Sequence, residues 1–119
     1  MTVQFAETYK DNLILKAGYD RTYRGVAHAW DTTTETYEVA DITSATLTMT
    51  VTDSSGAEKW SKTNGSGITL TDPSNGVFEV EFEDTDSTTT DIDTYDYIIE
   101  ITTSTGLKYL MVTGKFEVT

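Results

Sequence analysis

Cysteine is absent from the 119-residue chain, so neither a disulfide frame nor a thiolate metal site is available to it. A single histidine, His28, excludes Ser-His-Asp, Cys-His and multi-histidine metal constellations together. No apolar run approaches the roughly 20 residues that a membrane helix needs. Met1 to Lys16 lacks the basic and apolar regions of a signal peptide, so export by that route is not expected. Bases are also scarce: eight Lys and Arg stand against twenty Asp and Glu, a net charge of −12. The imbalance is uneven, with nine acids and six bases in residues 1–62 and eleven acids and two bases in residues 63–119. Nucleic acid and anionic membranes are therefore poor partners for this surface.

What the chain does have points to strands. Its length suits a single domain with one core. Threonine contributes 25 residues, and a β-branched side chain stiff at χ1 fits a pleated, half-exposed face better than a helix. Seven Tyr, four Phe and two Trp offset a low apolar fraction of 37% by giving the core large pieces to pack.

Alternation is the strongest local signal, because successive side chains of a strand point to opposite faces. Thr46 to Thr52 buries Leu47, Met49 and Val51 and turns every Thr outward. Val77 to Glu83 sets Phe78, Val80 and Phe82 against Glu79, Glu81 and Glu83. Tyr95 to Thr103 sets Tyr97, Ile99 and Ile101 against Asp96 and Glu100, with Ile98 as the exception. In Leu107 to Thr119 the apolar candidates are Tyr109, Met111, Phe116 and Val118, and the change of parity near Gly114 predicts a bulge there. Turn residues separate these runs at Asp53–Gly56, Asn64–Gly67, Asp72–Gly76 and Ser104–Gly106. Trp60 and the pair Ile68 and Leu70 fit two further short strands. Short strands with turns every 8–12 residues indicate an all-β sandwich or barrel, and no amphipathic helix of convincing length is present.

The first half leaves alternatives open. Tyr23 to Asp31 buries either Ala27 and Ala29 or, on the other parity, Val26, His28 and Trp30. Asp31 to Glu38 reads as an exposed loop or a ragged edge strand. In residues 1–20 Val3, Phe5, Leu13 and Leu15 alternate weakly around Lys10-Asp11-Asn12, which is either a hairpin turn or the middle of an extended arm.

An ordered series of short motifs resembles a known module. It runs from Tyr23-Arg24-Gly25 through Asp41-Ile42-Thr43-Ser44-Ala45-Thr46-Leu47, Gly67-Ile68-Thr69-Leu70-Thr71-Asp72 and Asn75-Gly76-Val77-Phe78-Glu79-Val80. It ends with Tyr95-Asp96-Tyr97 and Gly114-Lys115-Phe116-Glu117-Val118. The series is similar to the immunoglobulin-like β-sandwich at the N-terminus of phage baseplate upper proteins and to related small domains of phage and prophage virion proteins. Ser44 stands where that family has Gly, and Ile92-Asp93-Thr94-Tyr95 lacks the glycine of the family's Leu-x-x-Gly-x-Tyr approach.

The resemblance implies an immunoglobulin-like antiparallel β-sandwich over residues 22–119, preceded by an N-terminal arm or extra hairpin over residues 1–21. It implies a non-enzymatic virion protein, assembled in the host cytoplasm and mounted as capsid decoration or as a tail or baseplate accessory. Its partners would be other virion proteins and copies of itself, with neither nucleic acid nor membrane. Fold analogy alone does not transfer function, since similar sandwiches also serve as adhesins and sugar-binding domains.

The candidate sites follow. Val3, Phe5, Leu13 and Leu15 are the expected assembly contacts, if they pair with a neighbour's strand edge rather than with their own sheet. No cofactor is expected. Asp84, Asp86, Asp91 and Asp93 supply hard oxygen ligands of the kind calcium accepts, but without EF-hand spacing, and a charged loop is usually just solvated. Trp30, Trp60, Tyr95, Tyr97 and Tyr109 are the aromatic residues available to a sugar platform, although Tyr97 and Tyr109 have core parity. A carbohydrate- or host-surface-binding adhesin, calcium-dependent through the acidic loop, is the alternative function. No nucleophile–base pair is evident, and an enzyme is not expected.

Overall fold

In the structure, a computed structural model that describes residues 3–4, 9–10, 12–31 and 33–119, alternation translates into strands almost throughout. The strands are β1 (Val3–Gln4), β2 (Tyr9–Lys10), β3 (Leu13–Leu15), β4 (Arg21–Val26), β5 (His28–Asp31), β6 (Thr36–Val39), β7 (Thr46–Thr52), β8 (Glu58–Asn64), β9 (Gly67–Asp72), β10 (Val77–Phe82), β11 (Asp93–Thr102) and β12 (Lys108–Val118). The helical elements among the described residues are single 3-10 turns at Pro73–Asn75 and Thr89–Asp91. The protein is all-β, with one large, mostly antiparallel sheet ordered β2-β12-β11-β7-β8-β9-β10-β4. β3 follows β2 along β12, and β1, β5 and β6 form a small second sheet.

The alternating runs set the faces. Leu47, Met49 and Val51 are each 0% exposed, while the threonines between them meet solvent on one side. Phe78, Val80 and Phe82 are buried along β10, and Tyr95, Tyr97, Ile99 and Ile101 along β11. The large sheet bends over itself, so that rings from its two ends meet. Phe82 of β10 lies 5.0 Å from Phe116 of β12, Tyr23 of β4 lies 6.2 Å from Phe116, and Trp60 of β8 lies 6.1 Å from Phe82, measured between ring centroids. Offset and edge-on contacts of this kind add to the free energy of burial itself.

Side chains fix the turns between these strands. The Asp53 carboxylate accepts the Ser55 and Ala57 amides, which closes the β7–β8 hairpin around Gly56. Asn64 accepts the Leu47 amide and donates to the Ala45 carbonyl. That anchors the point where the chain leaves β8 and enters β9, a change of partner from β7 to β10.

The structure resolves the parity of residues 26–30 in favour of small side chains. Ala27 and Ala29 are buried, Val26 and His28 are exposed, and Trp30 is half-buried. Three backbones converge at this point: the Ala27 amide donates to Gly76 at 2.8 Å, and the Ala40 amide donates to Ala27 at 2.9 Å. Such close packing leaves no volume for Val, His or Trp inside, so the large residues take the outer face. The Thr- and Glu-rich stretch after Trp30 is the turn and return strand of the β5–β6 hairpin, with Glu35 at φ 55.

Two further points refine the sequence reading. The predicted bulge does not fall at Gly114. Ile99 pairs with Val112 and Glu100 with Leu110, so the extra residue is Met111, buried at 6% exposure. Gly114 instead pairs in register with Tyr97. β2 and β3 do not form a hairpin, because both run parallel to β12, Tyr9 beside Val112 and Leu13 beside Phe116; Asp11 between them lies outside the described residues. Residues 13–15 thus belong to the large sheet, and Leu15 is 0% exposed.

Candidate interaction edge and groove

The large sheet ends at β4, whose one strand neighbour among the described residues is β10. In an antiparallel pair, residues alternate between those that exchange hydrogen bonds with the partner strand and those whose backbone groups point away. The Ala27 amide bonds to Gly76, so Gly25, Tyr23 and Arg21 continue the bonded set in the β10 register. The backbone N–H and C=O groups of Thr22, Arg24 and Val26 therefore point to the free side. The Val26 carbonyl accepts a hydrogen bond from Nδ1 of His28 at 3.1 Å, which agrees with this direction. The groups of Thr22 and Arg24 and the Val26 amide have no hydrogen-bond partner among the described residues, and unpaired edge groups are a template for another strand.

Beside the edge lies an apolar groove of about 580 Å³. Met49, Phe78, Val80, Tyr97, Ile99 and Met111 form its depth, and Arg24, Val26, His28 and Tyr37 stand at its mouth. Gly25 makes the wall possible. A Cβ at this position would sit 2.3 Å from the tip of the Phe78 ring, so only glycine lets that ring cross β4 and reach the groove. Leu13 and Val112 close the far side, and the Tyr23 hydroxyl bridges the two sides by donating to the Ile14 carbonyl. Burial pushes the Tyr23 hydroxyl up to about 12, against a smaller opposing effect of Arg21, so it remains a donor across the ordinary pH range.

Charge around this edge differs from the rest of the molecule. Lys59 pairs with Asp91 at 2.6 Å, Lys62 with Asp86 at 2.8 Å, Lys108 with Glu100 at 3.7 Å and Lys115 with Asp96 at 2.6 Å. Lys16, Arg21 and Arg24 form no ion pair with a described residue; Lys16 lies over the Tyr19 ring and Arg21 over the Tyr23 ring. Among the described residues, positive charge outside ion pairs is thus gathered on β4 and the segment leading into it, with Glu79 of β10 opposite Arg24 in the ladder.

The residues singled out from sequence are distributed differently. Leu13 packs against the core and Leu15 lies within it, both on the chain's own sheet. Val3 lies in β1, and Phe5 falls outside the described residues. The four acidic-loop carboxylates do not converge. Asp86 accepts from Lys62 and the Glu83 amide, Asp91 from Lys59 and the Thr88 amide, and Asp93 from the Thr94 amide, while Asp84 meets Asp20 through its own backbone. No cluster of three or more potential metal ligands occurs among the described residues. Tyr95 and Tyr97 are buried, and Trp60 is half-buried with its indole N–H on the Asp86 carbonyl. Trp30 is half-buried and meets the exposed Tyr37 edge-on across the β5–β6 hairpin, with ring centroids 5.0 Å apart. The β4 edge was not identified from sequence, although two Arg residues in an acidic chain and a Gly inside a strand run were its signals.

The acidic loop has a testable role in stability. Partial desolvation raises the Asp86 pKa, but the Lys62 ammonium and the Glu83 amide outweigh it and hold the carboxyl below 3.8. A lowered folded pKa stabilises above the unfolded value and loses that contribution as pH falls through the folded one. Asp86→Asn is accordingly expected to lower stability at neutral pH, with the gap to the parent narrowing below about pH 4. Urea titrations at several pH values check this, and a gap that stays constant into acid would contradict it.

No protein-family model matches the chain, and no curated protein matches at a significant level.

Proposed function

We propose that this chain is a non-enzymatic structural module of a tailed-phage particle, an immunoglobulin-like β-sandwich that mounts as capsid decoration or as a tail or baseplate accessory through strand-edge and N-terminal contacts. The observation that carries the reading is the β4 edge, unpaired by any described strand on its outer side, above an apolar groove. An edge left open in this way is a liability for a free protein and an asset for one that assembles.

The sandwich assignment draws on two features. The bent sheet divides into β9-β10-β4 and β3-β12-β11-β7-β8, which meet through the Phe82, Phe116 and Tyr23 rings. The Tyr95 hydroxyl at the start of β11 donates to the Asp91 carbonyl at 2.7 Å, four residues upstream, in the manner of the tyrosine corner of immunoglobulin-like domains. The acidic surface would keep such a particle soluble and clear of nucleic acid.

The pairing of half-buried Trp30 with exposed Tyr37 favours a second reading, an adhesin that meets a host surface or glycan. Its rings are inclined at 68°, so they do not form a common flat platform. Antibody raised against the chain, used to label intact tailed particles in the electron microscope, separates the two. Regular decoration of particles supports the structural reading. Unlabelled particles, together with glycan binding lost in Trp30→Ala, would replace it with the adhesin.

A further inference from the structure

We infer that the β4 edge and its groove form an acceptor site for one extended peptide segment from a partner protein, a segment that alternates apolar and acidic residues. The inference builds on the assembly reading by naming the chemistry of the partner at its open edge.

Backbone geometry sets the first requirement. Thr22, Arg24 and Val26 direct their N–H and C=O groups away from β10, so an incoming strand finds a ladder already half built. Side-chain period sets the second. Residues of an added strand would point alternately toward the groove and toward the outer face. The groove side is apolar, walled by Phe78, Val80, Met49 and Met111, and accepts apolar side chains. The outer face of β4 carries Arg24, exposed and without an ion-pair partner among the described residues. Intervening residues of the segment would lie beside that guanidinium, which selects carboxylates there.

Charge also argues against a second copy as the occupant. Two β4 edges paired antiparallel about the midpoint of the outward set Thr22, Arg24 and Val26 would set Arg24 of one copy directly opposite Arg24 of the other, and like charges set opposite across a ladder destabilise it. Edge-to-edge pairing would also leave the groove empty, since β4 has no side chain beyond its own Tyr23 and Gly25 to place there.

The test uses the whole chain with two probes: a labelled ten-residue peptide alternating valine with aspartate, and its counterpart alternating valine with lysine. The aspartate peptide is expected to bind and the lysine peptide to fail. Arg24→Gln, a change at an exposed position, is expected to weaken the aspartate peptide about tenfold, as loss of a rim charge pair would. Amide hydrogen exchange supplies the decisive readout and needs no variant. In the free chain the Arg24 and Val26 amides should exchange quickly and those of Tyr23 and Gly25 slowly; with the aspartate peptide bound, all four should be protected.

Each contrary result overturns the inference. Binding of neither peptide removes the site, and equal binding of both removes its charge selection. Arg24 and Val26 amides already protected in the free monomer would mean that the chain's own segment fills the edge. Protection that appears only with a concentration-dependent dimer would mean that a second copy does. None of these outcomes depends on whether the chain labels phage particles, so failure here and failure of the virion reading are separable.

Discussion

Replacing Phe116 with alanine is expected to remove about 3–5 kcal/mol of folding free energy, which for a small domain is a large share of the total. Phe116 is 0% exposed. Its ring lies 5.0 Å from Phe82, 5.8 Å from Trp60, 6.2 Å from Tyr23 and 6.4 Å from Tyr97, and its backbone pairs with both Tyr95 and Leu13. Truncation would therefore empty a place where β3, β4, β8, β10 and β11 all meet β12, and rings held by three different ladders cannot collapse into the space. Leu110→Ala on the same strand is the control. Its side chain is 40% exposed, and about 0.5 kcal/mol or less is expected from it. Urea titrations with an unchanged m-value would measure both. A loss below about 1 kcal/mol in Phe116→Ala would show that the rings do not bear the weight assigned to them.

Gly76→Ala is expected to cost roughly 3 kcal/mol, about half from the left-handed backbone and the remainder from backbone collision. Gly76 has φ 74, and a Cβ there would lie 2.7 Å from the carbonyl oxygens of both Ala27 and Ala40. Neither neighbour is a flexible side-chain tip: Ala27 joins β4 to β5 with its carbonyl bonded by the Ala40 amide, and Ala40 directly follows β6. Gly56 provides the comparison, with φ 85 and open space around its would-be Cβ. Gly56→Ala should carry the backbone term alone, roughly 1–2 kcal/mol. The difference between the two variants isolates the crowding at residues 27, 40 and 76, and in Gly76→Ala faster exchange of the Ala27 and Ala40 amides should accompany it. Equal losses in the two glycine variants would mean that the three backbones have room to part.

The acidic loop illustrates how far a local reading reaches. Asp84, Asp86, Asp91 and Asp93 were selected as oxygen ligands because they lie close in sequence. Lys59 and Lys62 of β8 draw two of them to the sheet, and a capping box at Thr88 turns Asp91 back onto the Thr88 amide. Proximity in sequence carried no information about the lysines some 24 residues upstream in the Lys62–Asp86 pair. The β4 edge shows the complementary gap. Arg24 and Gly25 were visible in the motif series, but their importance rests on which neighbour β4 lacks, and a strand's own residues do not specify that.

Much was nevertheless determined by the amino-acid sequence alone. Alternation assigned the inward faces of β7, β10 and β11, and glycine placed the turns at positions 56, 65, 76 and 106, all with positive φ. These features depend on residues within a few positions of one another, because side-chain direction and backbone dihedral are local properties. The tertiary structure alone decided the rest: the alanine face of residues 26–30, the bulge at Met111 instead of Gly114, the parallel course of β2 and β3 along β12, and a β4 whose one strand neighbour among the described residues is β10. Each of these depends on what another strand does at the same point in space. Alternation allows both parities of a strand equally, and only the volume left by backbones packed against it, as at Ala27, Ala40 and Gly76, selects one.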